Sequence, residues 1–209
     1  LAENLDALVL DVKCGRSAFM KTRADARKLA EGLVALGNQC GVNTRAILTD
    51  MNTPLGTAAG NWLEVKESVA CLEGGGPEDL RELVLVFAAS LLAQTGKCKS
   101  AAVALRRAEA CLDSGAPRKK WDEMLRAQGT DLDAFQEKLR QDYTAPVVLK
   151  LPARTSGFVA TCDARVIGEV VRELGGGRLT KETSIHFEVG LDQIAKPRQG
   201  VQAGDTLCR

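Results

Sequence analysis

Apolar residues form a short run near the start of the chain and then recur at helical spacing. Ala7–Leu10 are apolar, and Val12 follows before the chain reaches Gly15. An apolar run that ends in glycine predicts a strand buried on both faces, as in a parallel sheet. The polar residues Leu1–Asn4, which precede this strand, have a helix-like composition.

A helix is predicted directly after this strand. Thr22, with Asp25 three residues later, is typical of a helix start. One face of the helix is predicted to be apolar, because apolar residues recur at three- and four-residue spacing: Ala26, Leu29, Leu33 and Leu36. The helix is expected to end at Gly37 or, more surely, at Gly41.

A second buried strand is predicted at Ala46–Leu48, which completes a strand–helix–strand unit. The crossover of such a unit is right-handed, and its two strands are parallel. Because the carboxyl ends of parallel strands lie at one edge of the sheet, the loops Lys13–Met20 and Asp50–Gly60 are expected to be neighbours. Ligands bind at this edge in open α/β sheets, so the two loops predict a site.

Helices dominate the middle of the chain, and the composition changes near residue 145. The predicted helices are Trp62–Leu72, Glu78–Thr95, Lys99–Leu112, Pro117–Gln128, Leu132–Asp142 and, later, Ala164–Leu174. Short strand-like runs are predicted at Val147–Pro152, Gly157–Thr161, Ile185–Val189 and Val201–Asp205. We therefore expect an α/β fold with a mixed, largely parallel sheet flanked by helices. Residues 1–144 are predicted to form the α/β domain. Residues 145–209 are predicted to form a C-terminal β-rich α+β lobe, with a soft boundary between the two.

Composition excludes several classes of protein. The chain has 209 residues, of which 45% are apolar and 26% charged, as in globular proteins. A net charge of +1 and an aromatic fraction of 4% argue against nucleic-acid partners. No apolar run approaches about 20 residues, so no membrane span is predicted. The seven cysteines form no C-x-x-C pair, which fits reduced thiols in a cytoplasmic protein.

Residues that could carry catalysis are scarce. The single histidine, His186, falls in a predicted strand and is interpreted as structural. A lone histidine cannot form a histidine metal cluster, and its position in a strand of the β-rich tail does not indicate a Ser-His-Asp triad. Asp6 and Asp11 cannot be assigned as an acid–base pair from their spacing alone. The residues by themselves therefore indicate an α/β domain with a site at its strand ends.

Several segments resemble signature segments of the thymidine and pyrimidine-nucleoside phosphorylase family. They are Leu5–Met20, Leu48–Asn52, Ala59–Asn61 with Glu64, Val65 and Glu67, and Leu174–Arg178. The resemblance covers nearly the whole chain. Ser17 stands where the family often has glycine, and Arg16 where it has a smaller residue, so the turn that they form is expected to reshape the pocket. Glu73–Arg81 resembles the animal members of the family most.

The resemblance implies a pentosyltransferase that acts in the salvage and catabolism of pyrimidine nucleosides. Such enzymes cleave thymidine, or uridine in the broader members, with inorganic phosphate as co-substrate. The family's glycine-rich phosphate loop and its base-binding Arg, Ser, Lys and His have no counterpart in this chain. The resemblance therefore implies an N-terminally truncated chain without catalytic residues of its own, inactive alone, and part of a cytoplasmic homodimer when complete.

The resemblance also implies three roles for individual residues. Phe19 matches the position whose apolar side chain packs near the 5-substituent of the pyrimidine; the alternative is a core residue. A potassium ion is expected on the carbonyl oxygens of Leu55 and Ala58 and the carboxylate of Glu67, with the remaining ligands upstream of Leu1. For Glu67 the alternative is a favourable charge near a helix N-terminus. Lys13 is expected to form a structural ion pair with Asp11 or Asp50.

Two further interpretations of the chain stay open. Gly200–Leu207 resembles a turn of biotinyl and lipoyl carrier barrels, although Lys181 and Lys196 lack the setting of a modified lysine. A hammerhead-like structural lobe is therefore the preferred interpretation of the tail. The second alternative for the whole chain is a non-catalytic α/β binding module that keeps the family fold.

Overall fold

The computed structural model describes residues 5–209, so the helix-like start predicted at Leu1–Asn4 lies outside the described residues. The strands are β1 Ala7–Cys14, β2 Asn43–Asp50, β3 Leu151–Pro152, β4 Gly157–Phe158, β5 Gly200–Val201 and β6 Thr206–Cys208. The helices are α1 Arg23–Gln39, α2 Asn61–Leu72, α3 Glu78–Gln94, α4 Ala101–Asp113, α5 Ala116–Ala127, α6 Leu132–Arg140 and α7 Ala164–Val171. A short π-helical turn, Arg172–Gly176, extends α7. The fold is α/β, as predicted.

The chain forms two compact units, each built from two separate segments. The first unit joins the chain up to Asn52 with Asp79–Cys111. The second unit joins Thr53–Glu78 with Leu112–Arg209. The division at residue 145 that the composition suggests stays a prediction.

The first unit contains the predicted strand–helix–strand arrangement. β1 and β2 pair in parallel, with Ala7 opposite Asn43 and Cys14 opposite Asp50, and α1 connects them. This pairing confirms the parallel strands. Leu8–Leu10 are only half-buried, because the described sheet has two strands. The prediction of burial on both faces is therefore wrong for these residues.

Helix α1 begins where the sequence predicts and continues beyond the first predicted stop. The hydroxyl oxygen of Thr22 accepts a hydrogen bond from the backbone N–H of Asp25 at 3.1 Å, which confirms the cap. Gly37 lies inside the helix, where an added Cβ would meet Thr44 Oγ1 at 2.2 Å. Glycine is needed there for close packing of α1 on β2, and the helix ends at Gln39 instead.

The predicted apolar face of α1 is buried at Ala26 but not at its three leucines. Ala26 and Ala30 pack with Val12 in the core of the unit. The leucines of the predicted face are exposed: Leu29, Leu33 and Leu36. Small alanine side chains let the helix lie close to the two strands, and the leucines are displaced to the side. Together with Phe19 they border an open groove of about 630 Å³.

Helix α3 belongs to the first unit and is only partly buried. Leu85 and Ala89 are buried, whereas Val84 and Leu91 are exposed, so only one face of this apolar helix is packed. The amide nitrogen of Gln94, at the end of α3, donates to the carbonyl of Leu8 at 3.3 Å. This hydrogen bond ties α3 to β1.

In the second unit, Trp62 of α2 is the centre of an aromatic cluster. Its indole ring is buried and meets the ring of Phe135 edge-on, with centroids 5.8 Å apart. The ammonium of Lys138 lies 4.5 Å from the centre of the same indole. The backbone N–H of Trp62 donates to the carbonyl of Phe187 at 3.0 Å. Trp62 therefore holds α2, α6 and the segment around residue 187 together.

The C-terminal part of the second unit contains two short antiparallel pairs, β3 with β6 and β4 with β5. The strands are shorter than predicted, and Ile185–Val189 adopts an irregular path with a turn instead of a strand. The hammerhead-like form of this lobe stays a prediction. Of the residues that the structure describes, none belongs to a helix with the length and apolar character needed to cross a bilayer.

Arg209 joins two distant parts of the second unit. Its guanidinium donates to both carboxylate oxygens of Asp192, at 2.9 and 2.6 Å, and to both of Asp142, at 2.7 and 3.0 Å. The hydrogen bond from Arg209 lowers the pKa of the Asp142 carboxyl. The arginine side chain and the Asp192 carboxylate are largely buried, so this pair is shielded from water more than an ordinary surface ion pair, whereas the Asp142 carboxylate is exposed.

Candidate functional site

The loop that follows β1 closes on itself and leaves Phe19 in solvent. The backbone N–H of Gly15 donates to the carbonyl of Met20 at 3.0 Å, and that of Ala18 donates to Gly15 at 3.1 Å. Within this loop Ala18 is buried, whereas the side chain of Phe19 is 98% exposed. This exposure excludes a core role for Phe19 within the described residues.

The same loop lies against the end of β2. The backbone N–H of Met51 donates to the carbonyl of Cys14 at 2.7 Å, and that of Arg16 donates to Asn52 Oδ1 at 3.0 Å. Gly15 has φ +135°, and an added Cβ would lie 3.0 Å from the backbone of residue 52. Glycine allows this close approach. The predicted neighbourhood of the two loops is thus confirmed for Asp50–Asn52.

Lys13 forms an ion pair with Asp11, with Nζ and Oδ2 2.6 Å apart. Asp11 also accepts a hydrogen bond from the hydroxyl of Thr49 on the neighbouring strand. These contacts confirm the structural ion pair expected for Lys13. In the adjacent turn, Ser17 Oγ is buried and has no hydrogen-bond partner among the described residues.

The second predicted group of residues lies in the second unit, on the loop 53–60 and on helix α2. The carboxylate of Glu67 accepts hydrogen bonds from the backbone N–H of Thr57 at 2.7 Å and from its hydroxyl at 2.8 Å. The side chain of Glu64 accepts from the backbone N–H of Gly60 at 3.1 Å. The structure thus brings Glu67 together with the loop that carries Leu55 and Ala58.

The ammonium of Lys196 contacts the backbone carbonyls of the loop 53–60, and the sequence did not predict this contact. Lys196 Nζ donates to the carbonyl of Pro54 and, at 2.7 Å, to that of Gly56. The carbonyl oxygens of Leu55 and Ala58 receive no hydrogen bond from the described part of the chain. The loop therefore already holds one ammonium on its carbonyls and keeps two further oxygens for a ligand. An oxygen-only donor set of this kind fits a hard monovalent cation.

His186 lies in the second unit, away from any triad-like arrangement within the described residues. Its backbone N–H donates to the carbonyl of Gly175 at 2.9 Å, and its ring packs at the position where a Gly175 side chain would stand. The ring borders an open cleft of about 760 Å³ beside the Lys138–Glu188 ion pair. The hydrogen bond from Lys138 lowers the pKa of Glu188. These contacts fit the structural interpretation of the histidine.

The seven cysteines do not take part in a metal cluster within the described residues. None of the seven forms a disulfide within residues 5–209, and burial raises the pKa of both Cys162 and Cys208. A raised pKa keeps these two thiols protonated at neutral pH. Within residues 5–209, no group of three or more His, Cys, Asp or Glu side chains could hold a metal ion.

The family of the chain follows from comparison with known proteins. Residues 1–118, more than half of the chain, match the sequence model described as "Glycosyl transferase family, a/b domain". The chain belongs to this glycosyl transferase family. Residues 158–209 match a second model, "Pyrimidine nucleoside phosphorylase C-terminal domain". The second match supports the phosphorylase tail over the carrier-barrel alternative.

Three bacterial proteins are among the relatives of this glycosyl transferase chain. It is 40% identical over 209 residues to the pyrimidine-nucleoside phosphorylase of Staphylococcus aureus. It is 39% identical to the pyrimidine-nucleoside phosphorylase of Bacillus subtilis and to the thymidine phosphorylase of Burkholderia cenocepacia. Each alignment covers 99% of this chain and 48% of the relative, so the chain spans about half the length of the curated relatives it matches. The resemblance of Glu73–Arg81 to animal members stays a prediction.

Proposed function

We propose that this chain is the larger α/β part of a thymidine-cleaving pyrimidine-nucleoside phosphorylase, a pentosyltransferase. The whole enzyme converts thymidine and inorganic phosphate to thymine and 2-deoxyribose 1-phosphate. The observation that carries the proposal is an identity of about 40%, along 99% of the chain, to enzymes named for this class of reaction. The matches to the two family models support the same assignment.

The reaction sets three tasks for the site. A phosphate oxygen attacks the anomeric carbon of the sugar while the bond from that carbon to the base nitrogen breaks. The electron pair of the broken bond goes to the pyrimidine, which then takes a proton. The site must bind phosphate, stabilise the oxocarbenium-like state and accept the negative charge on the departing base. The groups for these tasks are proposed to lie outside this chain. The chain itself supplies the wall of the pocket and the loop 53–60, the cation loop, which is proposed to bind potassium.

In this proposal Phe19 forms part of the pyrimidine pocket. The side chain is fully exposed at the tip of a loop whose backbone is fixed by hydrogen bonds to Met51 and Asn52. A rigid loop that presents an aromatic ring to solvent supports a ligand-contact role, because burial does not explain the residue. The ring edge can contact the methyl group of thymine.

Replacement of Phe19 by alanine is expected to weaken thymidine use without unfolding the chain. Loss of an aromatic contact of about 1.4 kcal/mol corresponds to roughly a tenfold lower kcat/KM for thymidine. Uridine, which lacks the methyl group, should lose less. Steady-state kinetics on the completed enzyme measure both values. Phe158→Ala is the matched control, since Phe158 is also exposed and lies outside this loop. Equal losses for the two substrates would contradict the assigned contact.

The proposed cofactor is a potassium ion, held by the carbonyl oxygens of Leu55 and Ala58 and by Glu67. Two uncommitted carbonyls and a carboxylate fixed on the same loop support this ligand set. A bound cation would stabilise the loop between the end of β2 and the start of α2. Glu67 meanwhile keeps the loop in place through Thr57.

The proposal also includes a homodimer for the whole enzyme and a cytoplasmic location. The family resemblance supports the dimer. The seven cysteines, none of which forms a disulfide within residues 5–209, support a reducing compartment.

Thymine release from thymidine tests the proposed function. The chain is assayed alone and together with the N-terminal half of the Bacillus subtilis relative, with and without phosphate. We expect no release by the chain alone and phosphate-dependent release after the second half is supplied. Release by the chain alone would contradict the proposed location of the essential groups. No release in any mixture, with folding verified by circular dichroism, would favour the non-catalytic binding module.

A further inference from the structure

Lys196 reaches the cation loop from a part of the chain about 140 residues away. Its ammonium donates hydrogen bonds to the carbonyls of Pro54 and Gly56. The two residues before it, Ile194 and Ala195, are buried, so the backbone that carries the lysine is held in place. A single side chain therefore restrains two carbonyls of the loop.

The backbone before Lys196 restrains the rest of the loop. The N–H of Ile194 donates to the carbonyl of Thr57 at 3.0 Å, and the N–H of Leu191 donates to that of Ala59 at 2.8 Å. The segment 191–196 thus holds four of the six consecutive carbonyls from residue 54 to residue 59. The two that no described residue holds are those of Leu55 and Ala58.

We propose that Lys196 is a positioning residue for a monovalent-cation site on this loop. By holding the carbonyls on either side of Leu55, the ammonium fixes the backbone that presents the Leu55 and Ala58 oxygens. This inference rests on the potassium ion included in the proposed function. The negative charge of Glu67, which lies on α2 and is held against the loop by its hydrogen bonds with Thr57, offsets the repulsion between the ammonium and a second cation.

The rival role for Lys196 is a built-in replacement for the metal ion. A replacement would be expected to occupy the oxygens meant for the ion. Lys196 instead contacts their neighbours and leaves both Leu55 and Ala58 uncommitted. Because Lys196 contacts the carbonyls of Pro54 and Gly56 and not the two proposed ligands, its contacts favour a role in positioning those ligands.

Thermal unfolding in two salts separates these roles without using enzyme activity. The chain, completed with the N-terminal half of the Bacillus subtilis relative so that the ligands expected upstream of Leu1 are present, is unfolded in potassium chloride and in tetramethylammonium chloride at equal ionic strength. Tryptophan fluorescence reports the second unit, which contains both Trp62 and Trp121. At a potassium concentration about ten times Kd, the wild-type chain should melt about 4 °C higher in potassium.

Lys196→Met is expected to lose most of this potassium-dependent increase, leaving a difference below about 1 °C. Lys196→Arg keeps the charge and N–H donors, and should retain at least half of the increase. Lys181→Met, at an exposed position of the same unit, is the matched control and should retain all of it.

Three results would overturn the proposal. An equal drop of Tm in both salts for Lys196→Met would show a purely structural role. A larger potassium increase in that variant would show that the ammonium replaces the ion. An equal Tm of the wild-type chain in both salts would show that the loop binds no potassium ion. Thymine release is measured separately, so failure of the cation site and failure of the phosphorylase assignment can be told apart.

Discussion

Replacement of Trp62 by alanine is expected to lower the free energy of unfolding of the second unit by about 4 kcal/mol. The indole is buried, and its removal leaves a cavity between α2 and α6. The edge contact with Phe135 and the contact with the Lys138 ammonium are lost as well, at about 1 kcal/mol each. Urea unfolding followed by circular dichroism at 222 nm measures the change.

Trp62→Phe separates packing from the aromatic contact. The indole N–H is buried and has no hydrogen-bond partner among the described residues, so its loss should carry no penalty. A phenyl ring keeps part of the contact with Phe135, and we expect a loss of about 2 kcal/mol. A Trp62→Ala variant as stable as the wild-type chain would show that this cluster does not hold the unit together.

Replacement of Gly190 by alanine is expected to lower the free energy of unfolding by about 3 kcal/mol, because the new Cβ would clash with the backbone of a neighbouring segment. An added Cβ at Gly190 would lie 2.2 Å from the carbonyl oxygen of Ala59 and 2.9 Å from Gly60 Cα. Both neighbours are backbone, and Ala59 is bridged to Leu191 by hydrogen bonds at 2.8 Å in both directions. The φ of +159° adds strain for any residue with a side chain. Chemical unfolding of the variant measures the cost.

Gly168→Ala is the matched control for this substitution. Gly168 lies within α7, and an added Cβ there meets nothing within 4 Å. Alanine is favoured over glycine in a helix interior by about 1 kcal/mol, so this variant should be more stable. If both variants were destabilised equally, the close approach at Ala59 would not be the cause of the loss at Gly190.

The parts of the fold that the sequence predicted are those determined over short stretches of chain. The Thr22 cap depends on residues three positions apart. Of the two partners expected for Lys13, Asp11 and Asp50, the one two positions away forms the ion pair. The parallel pairing of β1 and β2 follows from a connection of fixed handedness. These features need no knowledge of the remaining chain.

The features that were not predicted depend on distant segments. The leucines of α1 have helical spacing, but the sheet selects the alanines because the helix approaches it closely. The contacts of Lys196 with Pro54 and Gly56 span about 140 residues, and no local pattern in the sequence indicates them. Strand lengths after residue 145 were overestimated, because β-propensity there is overridden by the packing of irregular segments. The roles of Phe19, Leu55, Ala58 and Glu67 stay predictions.

The four hydrogen bonds that Arg209 donates to Asp142 and Asp192 also affect the kinetics of folding. Asp142 lies 67 residues before Arg209, and closing a loop of that length costs chain entropy before the contact forms. Such a contact is expected to form late in folding, after the local helices. Free energy gained after the transition state raises the barrier to unfolding and leaves the folding rate nearly unchanged. The arginine therefore determines how long the second unit stays folded more than how quickly it folds.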